Sequence, residues 1–159
     1  MVAHTAMMFV RQGKAYLPVM AQTEAGLFMG IEPVYMAELT IEDLVAALEK
    51  VLTAGHPRVA HPTQEEFRHL RKTSPILRAA RVKSWREFSQ RSVVYDIDWT
   101  ERAVIVYASQ LDHLGRTEYA SAKKLSFSKE TPLRTIVEAI LEDMRSRPEL
   151  QAAEEGCKL

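Results

Sequence analysis

Apolar and polar positions along this chain fall into two matching runs. In the first, Met7-Met8-Phe9-Val10-Arg11 precedes the turn pair Gln12-Gly13, and Ala15-Tyr16-Leu17-Pro18-Val19-Met20 follows. Strand-favouring stretches split by a glycine turn predict a hairpin. Thr23-Glu24-Ala25-Gly26 marks a second turn. Residues 27–31 then read as a third strand, with 33–37 as a fourth or its continuation. Pro18 has no ladder donor, so it marks an edge strand or a bulge. A helix follows over 41–54: Ile41, Leu44, Val45, Leu48, Val51 and Leu52 recur at helical spacing, Thr40 is a capping residue, and Gly55 and Pro57 stop it.

The second run repeats the plan. Residues 92–99 alternate as a strand, Thr100-Glu101 turns, and the β-branched 102–108 return. A polar loop with Gly115 leads to a short strand over 123–127. Thr131-Pro132 opens a helix over 132–146, with Thr131 as cap and Pro132 at the first helical position. Shifting Ile41, Leu44, Val45, Leu48 and Leu52 by 92 positions lands on Leu133, Ile136, Val137, Ile140 and Met144. The pattern predicts an α+β fold with a mostly antiparallel sheet, built from two similar strand-strand-strand-helix halves. It divides a single domain, 1–159, into a first half 6–55, a linker 56–90, a second half 91–147 and a frayed tail 148–159. The linker is helical in places. Thr63-Gln64-Glu65-Glu66 and Ser84-Trp85-Arg86-Glu87 both read as capping boxes. Trp85 and Phe88, one turn apart, give the second an aromatic face to bury.

Composition narrows the function classes. The chain has 159 residues, 47% of them hydrophobic, which is enough for one core. Lys and Arg number 21 against 21 Asp and Glu, so no net field draws the molecule to nucleic acid or an anionic membrane. No apolar run spans a bilayer, and Met1-Val2-Ala3-His4 lacks the basic start of a secretory signal. The single cysteine, Cys157, excludes an internal disulfide and fits a reducing cytoplasm.

Candidate chemistry is sparse. His56, His61 and His69 match no zinc spacing, and they read as surface histidines, with His61 tying down the linker. No nucleophile elbow, phosphate loop or His-Glu-x-x-His motif occurs, so neither metal nor cofactor is expected and the chain does not read as an enzyme. Asp96 and Asp98 share one strand face, which reads as solvated. Charge is uneven. Residues 21–50 hold six acids and one base; residues 61–91 hold eight bases and three acids. A basic linker over 68–91 could grip RNA phosphates in a small RNA-binding or regulatory domain; pairing of those bases with the acidic segment or with helix ends is the plainer reading.

The stretches His61-Pro62-Thr63 and Val82-Lys83-Ser84-Trp85-Arg86-Glu87-Phe88, with the closing strand and helix over 124–144, resemble the bacterial contact-dependent growth inhibition immunity proteins, the CdiI family. The family's loop between second-half strands is usually glycine-rich; here 109–119 keeps only Gly115. The resemblance implies a cytoplasmic binding protein without catalytic activity. Its partner would be a cognate CdiA C-terminal toxin domain, a nuclease that cuts transfer RNA, held in a tight one-to-one complex that occludes the toxin's active site. No nucleic acid, membrane or small-molecule substrate would be bound directly. A nuclease has a basic groove, so its inhibitor should present acids. The candidates are Asp96, Asp98, Glu101, Asp112 and Glu118 in the second half, or Glu24 and Glu32 in the first.

Overall fold

The two predicted hairpins meet at their first strands. The computed structural model describes residues 2–150. Along the chain run β1 (Val2–Arg11), β2 (Lys14–Thr23), β3 (Phe28–Glu38), α1 (Ile41–Ala54) and a two-residue strand β4 (Arg58–Val59). The linker helices follow: α2 (Gln64–Lys72), α3 (Pro75–Ala80) and α4 (Trp85–Ser89). Then come β5 (Ser92–Thr100), β6 (Ala103–Ser109), β7 (Lys123–Ser128) and α5 (Leu133–Arg145). The sheet order is β3-β2-β1-β5-β6-β7, with every neighbouring pair antiparallel; β4 adds to β2 in parallel. Each half thus runs outward from the central β1–β5 pair in the same order. This is the α+β, two-half architecture that the pattern predicts.

Strand alternation sorts the side chains onto two faces. Ala6, Met8 and Val10 of β1, Val93, Tyr95 and Ile97 of β5, and Val104 and Val106 of β6 form one buried face. Helices α1 and α5 cover it with Leu44, Leu48, Val51, Ile136, Val137 and Ile140, and they touch each other. Full burial of each such side chain contributes about 1.5–3 kcal/mol. A polar tie runs through this layer. Buried Asp143 of α5 accepts from the Tyr95 hydroxyl (2.7 Å) and pairs with Lys123 (3.0 Å) and Arg147 (2.9 Å). Its burial favours the neutral acid, yet hydrogen bonds from Arg147, Tyr95 and Lys123 outweigh that and hold its carboxyl below the usual range.

The opposite face is only half covered. At the end of the sheet near the β1–β2 turn, Phe9, Tyr16 and Val94 pack against Ile76, Leu77 and Phe88 of the linker. Beyond them the loop between β6 and β7 reaches across the sheet, where Tyr119 meets Asp96 and Tyr107.

Local expectations are met at some positions and shifted at others. Residues 27–31 and 33–37 are one strand, β3. Pro18 lies in an interior strand and marks the bulge: register slips between Pro18 and Val19. Thr131 stands one position before the α5 cap, which is Pro132 without a side-chain bond; the Thr131 hydroxyl lies 3.0 Å from that of Ser128. Thr63 and Glu66 form a complete capping box. Ser84 caps the Glu87 N–H, but Glu87 reaches back to the N–H of Lys83 instead of Ser84, so the second box is half made. Of the expected frayed tail, Leu150 packs against the core and Glu149 accepts from Gln110; Cys157 lies outside the described residues.

Candidate functional site

The site arises where β1 and β2 part. They pair only between Phe9–Arg11 and Lys14–Tyr16, and then diverge. His56, just past the α1 C-cap Gly55, fills the gap. Its Nδ1 donates to the Met20 carbonyl (2.7 Å) and its Nε2 accepts the Thr5 N–H (3.2 Å). These two partners set the tautomer, and the imidazole replaces ladder bonds that the strands no longer make to each other. Phe28 stands edge-on to the ring, centroids 4.9 Å apart. His56 is therefore half-buried and structural, not a free surface histidine. His61 does tie the linker down: its Nδ1 lies 2.9 Å from the Thr23 hydroxyl.

Beside this wedge lies a hollow of about 270 Å³. Thr5, Asp96, Asp98 and Tyr119 form its polar side, and Met7, Met20 and Phe28 its apolar side. The Thr5 hydroxyl donates to Asp98 Oδ1 (2.8 Å) and lies 3.3 Å from Asp96 Oδ1. The Tyr119 hydroxyl donates to Asp96 Oδ2. Tyr119 reaches this place because the β6–β7 loop folds back across the sheet, where its ring stands perpendicular to that of Tyr107. Tyr119 is 56% exposed, yet it covers Asp96, which is 6% exposed. The expectation of a solvated Asp96–Asp98 pair thus fails at Asp96, because a tyrosine twenty-three positions away lies over it. Burial raises the Asp96 carboxyl to about 6, with the Asp98 charge adding to it and the Tyr119 hydrogen bond opposing it. Burial and the Asp96 carboxylate together raise the Tyr119 hydroxyl.

The arrangement can hold a proton on Asp96 in mildly acidic solution, or accept a cation. Its shape suits the second use. The apolar walls match an alkyl stem and the carboxylates match the ammonium or guanidinium of a lysine or arginine.

The five predicted acids do not form one patch. Asp96 and Asp98 share the hollow, and Glu118 is exposed next to Tyr119 in the chain without lining it. Glu101 is exposed at the β5–β6 turn, beyond the end of β5. Asp112 is at the other end of the sheet and is committed to its own loop. It accepts the N–H groups of Leu114 and Arg116 (both 2.9 Å) and the Arg116 guanidinium (2.8 Å). Although desolvation works the other way, these bonds hold its carboxyl below the ordinary range. Of the first-half candidates, Glu32 pairs with Arg78 (2.6 Å) and Glu24 is exposed in a turn. Sequence reasoning missed Thr5, His56, Phe28 and Tyr119. The one signal was period two: Thr5, Met7 and Phe9 share a face, as do Asp96 and Asp98, and their strands pair.

Trp85 is half-buried rather than buried, while Phe88 is fully enclosed. The indole Nε1 donates to the Arg71 carbonyl (3.0 Å), and Phe9 and Phe88 flank the ring. Gly115, at φ +80°, lies against it so closely that an added Cβ would sit 2.3 Å from Cδ2.

No family model matches this chain, and no curated protein matches it. Among solved structures it is similar to a protein of unknown function, NMB0488 from Neisseria meningitidis. That match has a TM-score of 0.59 at 13% identity and covers 94% of this chain and 92% of that chain. The likeness shows the fold alone. Among the described residues no helix is long and apolar enough to cross a membrane.

Proposed function

We propose that this chain is an immunity protein of the contact-dependent growth inhibition type. It binds a cognate nuclease toxin domain in the cytoplasm, one to one, and occludes its active site without cleaving or modifying anything. The observation that carries this reading is the Asp96–Asp98 hollow. It sits on the sheet face that α1 and α5 leave uncovered, lined in part by exposed Tyr119, whose chain neighbour Glu118 is exposed as well. A nuclease groove is lined with lysines and arginines that hold phosphate. One such side chain can enter the hollow with its stem on Met7, Met20 and Phe28 and its charge on the two carboxylates, while Tyr119 adds aromatic area at the centre. The resemblance carried by His61-Pro62-Thr63 and Val82 to Phe88 supports the same reading. In this fold those residues cap α2 and α4 and close the linker over Phe9 and Phe88.

The test is co-purification with the toxin domain encoded immediately upstream, followed by calorimetry. We expect a one-to-one complex of roughly nanomolar affinity or better, with association slowed by salt. Asp98→Asn combined with Glu118→Lys should weaken binding by about tenfold or more while leaving the unfolding midpoint nearly unchanged. Asp112→Lys should instead disturb its loop. Failure of the two proteins to associate would overturn the reading.

A further inference from the structure

The eight linker bases do not pair as expected. Arg78 reaches Glu32, but Arg68, Arg71, Lys72, Lys83 and Arg86 have no carboxylate partner among the described residues. All five are exposed, and all five line one groove of about 450 Å³ between α2, α4 and the β6–β7 loop, which adds His113. The groove floor is apolar: Leu77 is buried, and Trp85 and Leu114 are half-buried.

Like charges gathered around one groove repel one another, and a ligand with negative charge relieves that repulsion. The groove is also preformed. Trp85 is fixed by its bond to the Arg71 carbonyl and by Gly115 against the ring; Ser84 caps α4; Asp112 holds the loop that carries His113 and Leu114. A rigid concave site loses less entropy on binding than a mobile one.

We infer that this groove docks an acidic segment of a partner protein, one that carries an apolar side chain among its carboxylates. Charge complementarity favours carboxylates or phosphates at the rim. The floor separates the two. Single-stranded nucleic acid gains most when bases stack on open aromatic faces. Apart from His113, the aromatic ring in this groove is Trp85, which is half-buried and packed against Gly115, Phe9 and Phe88, so successive bases find no row of open faces to stack on. What remains open is apolar volume of a size that admits one or two large side chains. An acidic peptide fills both needs: its carboxylates meet the rim, with arginine able to bind them bidentately, and its leucine or aromatic residue meets Leu77, Trp85 and Leu114. The inference does not rest on the inhibitor reading, because it concerns a different surface and is tested on the purified protein alone.

The experiment is fluorescence anisotropy with the full chain. The probes are a labelled peptide of glutamates with interspersed leucines, the same peptide with glutamines for leucines, its lysine counterpart, and a labelled single-stranded oligouridine. We expect saturable, salt-sensitive binding of the glutamate–leucine peptide, weaker binding of the glutamine version and none of the lysine one. Arg71→Glu with Lys83→Glu should weaken peptide binding by about tenfold, and so should the independent pair Arg68→Glu with Arg86→Glu, with circular dichroism unchanged for both. Absence of saturable binding by the glutamate–leucine peptide, or equal binding by both charge-reversed proteins, overturns the inference. Tighter binding of the oligouridine than of the peptide also overturns it, in favour of a nucleic-acid groove.

Discussion

Asp96 is the residue whose chemistry departs furthest from its sequence context. An aspartate in an alternating strand should be wet, yet here it lies under Tyr119 with its carboxyl raised to about 6. The sign of the pH effect follows. The folded state holds that proton more tightly than the unfolded chain, so stability falls as pH rises from the ordinary carboxylate value through about 6, and is flat above. We expect the wild type to lose on the order of 1 kcal/mol relative to Asp96→Asn between pH 5 and pH 8. Urea unfolding of the two proteins side by side measures it, and the difference cancels the histidines. Equal slopes would mean that Asp96 is solvated. Asp143 has the opposite sign and a separate window: its stabilisation is present above the ordinary carboxylate value and is lost only as pH falls through its lower folded value. Gly115 shows the same dependence on distant partners. Its positive φ was foreseeable from a loop glycine, but the Trp85 ring against it was not. Gly115→Ala should cost about 2 kcal/mol or more, from both the backbone and the collision with the indole. A loss under about 0.5 kcal/mol in denaturant unfolding, the range of an indifferent surface change, would show that the ring moves aside freely.

At the scale of elements, what was legible is what period and caps encode. Helices α1 and α5 appear where Ile41, Leu44, Leu48 and Leu133, Ile136, Ile140 place an apolar stripe. Thr40 and Thr63 cap their helices as their positions indicate. Pairing partners were less legible, because period two does not say where two strands stop pairing. The divergence of β1 from β2 on the N-terminal side of Phe9 is of this kind, and so is the role of His56 in closing it. Removing that ring orphans the Thr5 N–H and the Met20 carbonyl. His56→Ala should cost about 1–3 kcal/mol, and hydrogen exchange at Thr5 should accelerate with it. Unchanged exchange at Thr5 would mean that the strands close up without the wedge.

At the scale of the whole molecule, a balance of 21 bases and 21 acids conceals a polar surface. One loop, between β6 and β7, borders both the acidic hollow through Tyr119 and the basic groove through His113 and Leu114. The charge segregation was visible along the sequence. That the linker bases stay largely unpaired was not, because pairing depends on which segments the fold brings together; among the described residues Arg78 is the one linker base that meets an acid of the first half. The duplicated plan was legible from the helices alone. The open face it leaves around Thr5, Asp96 and Asp98 was not, because where the linker docks decides which end of the sheet is covered. The central claim is stoichiometric inhibition through that open face. The measurement that bears on it most directly is a titration of transfer RNA cleavage by the cognate toxin domain, scored as intact transfer RNA on a gel. The account predicts a linear fall in cleavage to a break at one equivalent, and for Asp98→Asn with Glu118→Lys a rounded curve that leaves cleavage remaining at one equivalent. Cleavage unchanged at an equimolar ratio, or full protection far below one equivalent, would contradict it.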